Sequence, residues 1–83
     1  MNNLLTQPTL QTRIFVFRTN IKTKKKAKVI KPLLNGISSI TKWTVDYEDI
    51  DNVLRIEAKA YLDEATIINK IKNCGYHCEA LKE

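Results

Sequence analysis

The chain of 83 residues is short of almost everything that builds a specialised site. It has two cysteines, Cys74 and Cys78, too few for a disulfide-stapled secreted scaffold. Its one histidine, His77, forms no H-x-x-x-H pair of the kind that holds a catalytic metal. Its two glycines, Gly36 and Gly75, stand far apart, so there is no glycine-rich loop to cradle a phosphate. Ser38 and Ser39 lack the strand–turn–helix setting of a nucleophile elbow. Without a convergent acid, base and nucleophile, an enzyme is not expected. No apolar run approaches the ~20 residues of a membrane span. Met1–Leu10 lacks the basic-then-apolar pattern of a secretion signal, so a cytoplasmic protein without membrane insertion is expected.

The most informative absence is of negative charge in the first half. Residues 1–42 carry nine Lys or Arg and no Asp or Glu, a balance of +9. Residues 43–83 carry five Lys or Arg and all nine acids, 5 − 9 = −4, and the two halves sum to the net +5. A hydrophobic content of 43% excludes a disordered tail. The length fits one domain, whose small core buries roughly 60–65% of the unfolded surface.

Residues 1–11 are polar, contain Pro8 and show no periodicity, which predicts a flexible N-terminal arm and a single domain over residues 12–83. Arg13–Arg18 reads R-I-F-V-F-R, a strand signature. Thr23 is a candidate N-cap. From Lys24 to Leu34, Ala27, Ile30 and Leu33/Leu34 recur at helical spacing and Asn35-Gly36 ends the run; Pro32 inside it predicts a bend or a short helix. Ile37–Asp46 reads as a strand with Trp43 and Val45 on one face, and Glu48–Asn52 as an acidic turn. Val53–Lys59 alternates, placing Leu54, Ile56 and Ala58 inward. Asp63-Glu64 opens a second helix with the Ile67, Ile71, Cys74 stripe, Gly75 stops it, and Tyr76–Leu81 forms a last short strand.

The order βαββαβ with right-handed crossovers predicts an α+β ferredoxin-like sandwich: a four-stranded antiparallel sheet with two helices on one face. Phe15 and Phe17 should face those helices. Ile14 and Val16 should then lie near Val53 and Arg55 on the open face, an apolar strip that predicts a monomer or a weak dimer. Trp43 is expected as a core anchor beneath the helices.

The run T-N-I-K-T-K-K-K-A-K-V-I-K-P-L-L-N-G-I (Thr19–Ile37), W-T-V-D (Trp43–Asp46), N-V-L-R-I-E (Asn52–Glu57) and C-G-Y (Cys74–Tyr76) together resemble a heavy-metal-associated (HMA) domain over about residues 12–81. This family includes small copper chaperones, mercury-binding proteins and the N-terminal modules of metal-pumping ATPases. Its chemistry lies in a C-x-x-C between the first strand and first helix, where two thiolates suit Cu(I). The resemblance implies that Thr23 and Lys26 occupy those cysteine positions. Neither is a soft ligand, and residues 1–73 contain no cysteine at all. The implied reading is a degenerate metal site with no cofactor. The alternative is weak residual copper or zinc handling through Cys74, His77 and Cys78, with Tyr76 matching a family residue close to the metal loop. Against that set, Cys74 falls on the core stripe, while His77 and Cys78 point to opposite faces of one strand.

What replaces the thiolates is lysine. Lys22, Lys24, Lys25, Lys26 and Lys28, with Lys31 beyond, crowd a helix start, where basic residues oppose the helix dipole. Broken local rules point to function. With the Thr23 hydroxyl, the set predicts an interaction or anion-binding module whose partner is an acidic protein surface or a small anion. The plainer reading is a solvated lysine face that maintains solubility. RNA binding is a third reading, because RNA-recognition modules share the element order. It needs exposed aromatics on the first and third strands, and Val53–Lys59 has none, which argues against nucleic acid.

Overall fold

The computed structural model describes residues 12–81; the arm expected over residues 1–11 lies outside the described residues, as do Lys82 and Glu83. The elements are β1 (Thr12–Thr19), α1 (Lys24–Ala27), α2 (Lys31–Asn35), β2 (Ile40–Asp46), β3 (Val53–Lys59), α3 (Glu64–Asn73) and β4 (Cys78–Ala80). The four strands form one sheet in the order β2-β3-β1-β4, and every pairing is antiparallel. Phe15, Phe17, Leu54, Ile56, Ala58 and Cys78 bury one sheet face against Ala27, Ile30, Leu34, Ile67 and Ile71. This is the ferredoxin-like α+β sandwich that the pattern predicts.

Two helices were expected, whereas the described residues hold three helical segments, because the first run breaks. An unbroken helix from Lys24 would need an N–H at Pro32 to bond the Lys28 carbonyl, and proline has none. The chain tightens instead: the Val29 and Ile30 amides donate to the Lys26 and Ala27 carbonyls three residues back, at 3.2 and 3.1 Å. It then restarts with Pro32 in the first turn of α2, where its missing donor costs nothing. Ala27, Ile30 and Leu34 stay buried through the break.

The strand expected from Ile37 begins at Ile40, after a turn. Its register against β3 slips by one residue between Ile40 and Lys42. Thr41 is the extra residue, and its hydroxyl donates to the Glu57 carbonyl at 3.1 Å. This β-bulge puts Ile40, opposite Ala58, and Trp43, opposite Ile56, on the same face despite their odd spacing. The β2–β3 turn is closed by Asn52, buried at φ +42°, a conformation that asparagine tolerates better than most residues. Its side-chain amide donates to the Asp49 carbonyl at 3.3 Å. At the far end of α3, Gly75 at φ +94° turns the chain into β4.

The open sheet face departs from the expected apolar strip. Ile14 lies opposite Glu57 and Val16 opposite Arg55, while Val53 pairs with Asp46 on the neighbouring strand. Arg55 and Glu57 form an ion pair at 3.0 Å across that face, so charge interrupts the aliphatic residues. Phe15 and Phe17 are buried beneath the helices at 2% and 0% exposure, which leaves no aromatic stacking platform on the described open face.

Candidate functional site: the lysine-rich loop

The loop joining β1 to α1 is held at both ends by specific bonds. Thr19 ends β1 buried; its amide donates to the Asp51 carbonyl at 3.0 Å and its hydroxyl to the Asn52 carbonyl at 2.6 Å. The same hydroxyl accepts the Ile21 amide at 3.2 Å, and Ile21 inserts fully into the core. Asn20 reaches across to β4, its Oδ1 accepting the His77 amide at 2.8 Å.

Thr23 is the N-cap of α1, and its hydroxyl accepts the Lys26 amide at 3.1 Å. Tyr76 closes the loop from the other side, its phenol donating to the Lys26 carbonyl at 3.0 Å. Lys26 is therefore fixed through its backbone on both sides while its ammonium stays in water. The resemblance implied Tyr76 near this loop, and its bond to Lys26 lies there; the Asn20 bond has no sequence signal, because its partner lies 57 residues away.

Lys22, Lys24, Lys25, Lys26 and Lys28 are all exposed. The ion pairs among the described residues involve Arg18, Arg55 and His77 as the basic partners, so no loop lysine has a carboxylate partner there. Arg18 bridges Asp51 at 3.1 Å and Glu79 at 3.1 Å, using two acids of the negative half to tie β1 to its neighbours. The loop thus offers several like charges on a backbone whose shape is already set, an arrangement suited to an acidic surface or anion.

The alternative ligands Cys74, His77 and Cys78 do not converge. Cys74 is half-buried against the core, Cys78 is fully buried, and His77 is exposed, 3.8 Å from Glu79. Burial pushes the Cys78 thiol from its ordinary 9.0 up to about 11, outweighing the opposing pull of Lys72. A thiol held protonated at neutral pH is a poor soft-metal ligand. No group of three or more His, Cys, Asp or Glu among the described residues is placed to hold a metal. No helix among the described residues is long and apolar enough to cross a membrane.

No family model and no curated protein matches the chain. Solved structures do. A chain in the solution structure of the Atx1–Cu(I)–Ccc2a complex superposes with a TM-score of 0.73 at 18% identity, covering 84% of this chain and 96% of the other. The CsoZ metallochaperone gives 0.67 at 12% identity, over 87% and 100%. The apo HMA domain of the copper chaperone for superoxide dismutase gives 0.66 at 11% identity, over 99% and 82%. The chain therefore shares the ferredoxin-like fold of these structures, the fold that the sequence resemblance implied.

Proposed function

We propose that this metallochaperone-fold protein acts as a binding module, in which a lysine-rich loop engages an acidic protein surface or small anion in place of a metal. The observation that supports this reading is the loop itself. Lys22, Lys24, Lys25, Lys26 and Lys28 project from a backbone pinned by Thr23 and Tyr76, with no carboxylate partner among the described residues. A soft cation would meet no thiolate at Thr23 and Lys26, the positions that the resemblance gives to the family's cysteines. The Thr23 oxygen is spent on capping, and the Lys26 ammonium repels a metal ion. These donors do not fit Cu(I).

A Lys24/Lys25/Lys26→Ala variant tests the reading. Acidic-peptide or phosphate titration of the unaltered protein should shift the amides of Lys22–Lys28 in NMR spectra, and the variant should lose those shifts. Equal shifts in both proteins remove the proposal. Residual copper or zinc handling is the second reading, favoured by the fold shared with a Cu(I)-bearing chaperone complex. Cu(I) and Zn(II) titration of the reduced protein checks it. Stoichiometric binding lost in Cys74→Ala would establish it, and a Thr23→Cys/Lys26→Cys variant should gain Cu(I) binding that the unaltered loop lacks.

A further inference from the structure

Beside the broken first helical run lies a cleft that shares Lys24 and Lys28 with the lysine-rich loop and adds Lys31, Trp43 and Tyr47. Among the described residues strand β2 is a sheet edge, and the short segments α1 and α2 leave its inward face partly uncovered. Trp43 and Tyr47 on that face are half-buried, whereas the inward residues of β3 are fully buried. The result is an open cleft of about 360 Å³ between Lys24, Ala27, Lys28 and Lys31 on one wall and Trp43 and Tyr47 on the other. The indole N–H donates to Asn35 Oδ1 at 2.9 Å and so fixes the ring. The floor is a methyl, an indole and a phenol; the rim is three ammonium groups and no carboxylate.

A matching feature stands elsewhere on the same chain. Ile50, at the tip of the β2–β3 turn, is 96% exposed, in the sequence Glu48-Asp49-Ile50-Asp51. An aliphatic side chain flanked by carboxylates is the complement of an aromatic floor ringed by lysines. The turn keeps its shape before any contact: the Asp51 amide donates to Asp49 Oδ1 at 2.8 Å, and Asp51 is paired with Arg18. Because Tyr47 ends one wall of the cleft and Ile50 follows three residues later, two copies related by a two-fold axis could exchange turns reciprocally.

We propose that the lysine-rimmed cleft is a self-recognition site, which receives the Ile50 tip of a second copy of this chain. Residues 1–11 bring Leu4, Leu5 and Leu10 but no acid, so they lack the charge this rim selects. Each cleft receives a single turn with one bare aliphatic side chain, so the association is weak and reversible.

Trp43 is the only tryptophan of the chain and reports from inside the cleft. Sedimentation and Trp43 emission of the full chain are followed together as protein concentration rises. A dimeric mass and a shift in emission should appear together, and both should weaken in 0.5 M salt, which screens exposed charge. Ile50→Ser should raise the midpoint concentration at least about fivefold, from the lost aliphatic burial. Lys28→Glu/Lys31→Glu and Glu48→Lys/Asp49→Lys should each be monomeric alone and associate when mixed. A monomeric mass with unchanged emission up to the highest concentration overturns the proposal. So does a concentration-dependent emission shift that survives Ile50→Ser undiminished, which would show that the cleft is filled by something other than the Ile50 tip. Failure of the mixed pair to associate also overturns it; phosphate titration of Ile50→Ser, which leaves every lysine in place, tests anion binding at the loop separately.

Discussion

The two helical layers over the sheet were built by opposite rules. On the α3 side, Glu64 stands in the first turn and Lys70 and Lys72 in the last, so charge and helix dipole agree. The helix runs unbroken for 10 residues and buries Ile67 and Ile71 completely. On the α1/α2 side there is no acid in the first turn of either segment, and Lys24, Lys25 and Lys26 crowd one end. The run is cut into pieces of 4 and 5 residues, the first held by the Thr23 cap and by the long-range bond from Tyr76. The difference teaches that both layers bury core residues, Ile67 and Ile71 under α3 and Ala27, Ile30 and Leu34 under α1/α2. Only the α1/α2 layer also carries exposed lysines and a cleft, at the expense of helix regularity.

Core truncation should break the comparison most strongly. Ile71→Ala should cost about 4 kcal/mol in chemical denaturation, near the top of the range for such cavities, because the continuous helix cannot collapse into the space. Ile30→Ala, equally buried between the short segments, should cost about 2 kcal/mol because its surroundings can relax. Equal losses would show the two layers to be equally rigid.

The next effect belongs to β4 beneath α3. Cys78 is protonated in the fold up to about pH 11, but ionises near 9.0 when unfolded. Above pH 9 the unfolded chain gives up a proton that the folded chain keeps, so stability falls as pH rises from about 9 to about 11. The loss should reach about 2 kcal/mol, and Cys78→Ala should abolish that part of the slope. In the native protein a thiol reagent should modify half-buried Cys74 well before Cys78.

Thr23→Ala removes the cap of α1 and should cost about 1 kcal/mol, readable as a lower denaturation midpoint. It should also disorder the loop lysines, seen as faster amide exchange at Lys26. Tyr76→Phe, which deletes one partly exposed bond to the Lys26 carbonyl, should cost about 0.5 kcal/mol, with the amide shifts confined to the loop. If Tyr76→Phe proved the more damaging of the two, the loop would be organised from β4 rather than from its own cap.

Strand type, order and inward faces were legible because each depends on period-two patterning and local turns. R-I-F-V-F-R and V-L-R-I-E-A-K lie within β1 and β3, with Phe15, Phe17, Leu54, Ile56 and Ala58 buried as the alternation requires. Thr23 as a cap was equally local. The bulge at Thr41 was not, because a slipped register is defined by the partner strand and not by either sequence alone. Trp43 shows the consequence. It packs against the core, as an anchor should, but the bulge and the broken helix leave its other edge lining a cleft. The lysine cluster was visible as composition. Its fixed backbone was legible only in part: the resemblance put Tyr76 near the loop, whereas Asn20 bonds His77 across the chain with no sequence signal.

The sequence by itself determined that nine positive charges gather ahead of all nine acids, that residues 1–73 offer no thiol, and that the pattern folds as βαββαβ. These are properties of composition and short-range period. Tertiary structure alone decided what the charges face. It placed the lysines on an edge that two short helices cannot cover, put Trp43 between them, and held an acidic turn with a bare isoleucine at its tip. The physical reason is that a cleft and its complement are set by register, helix interruption and packing, and each of these needs residues far apart in sequence to meet.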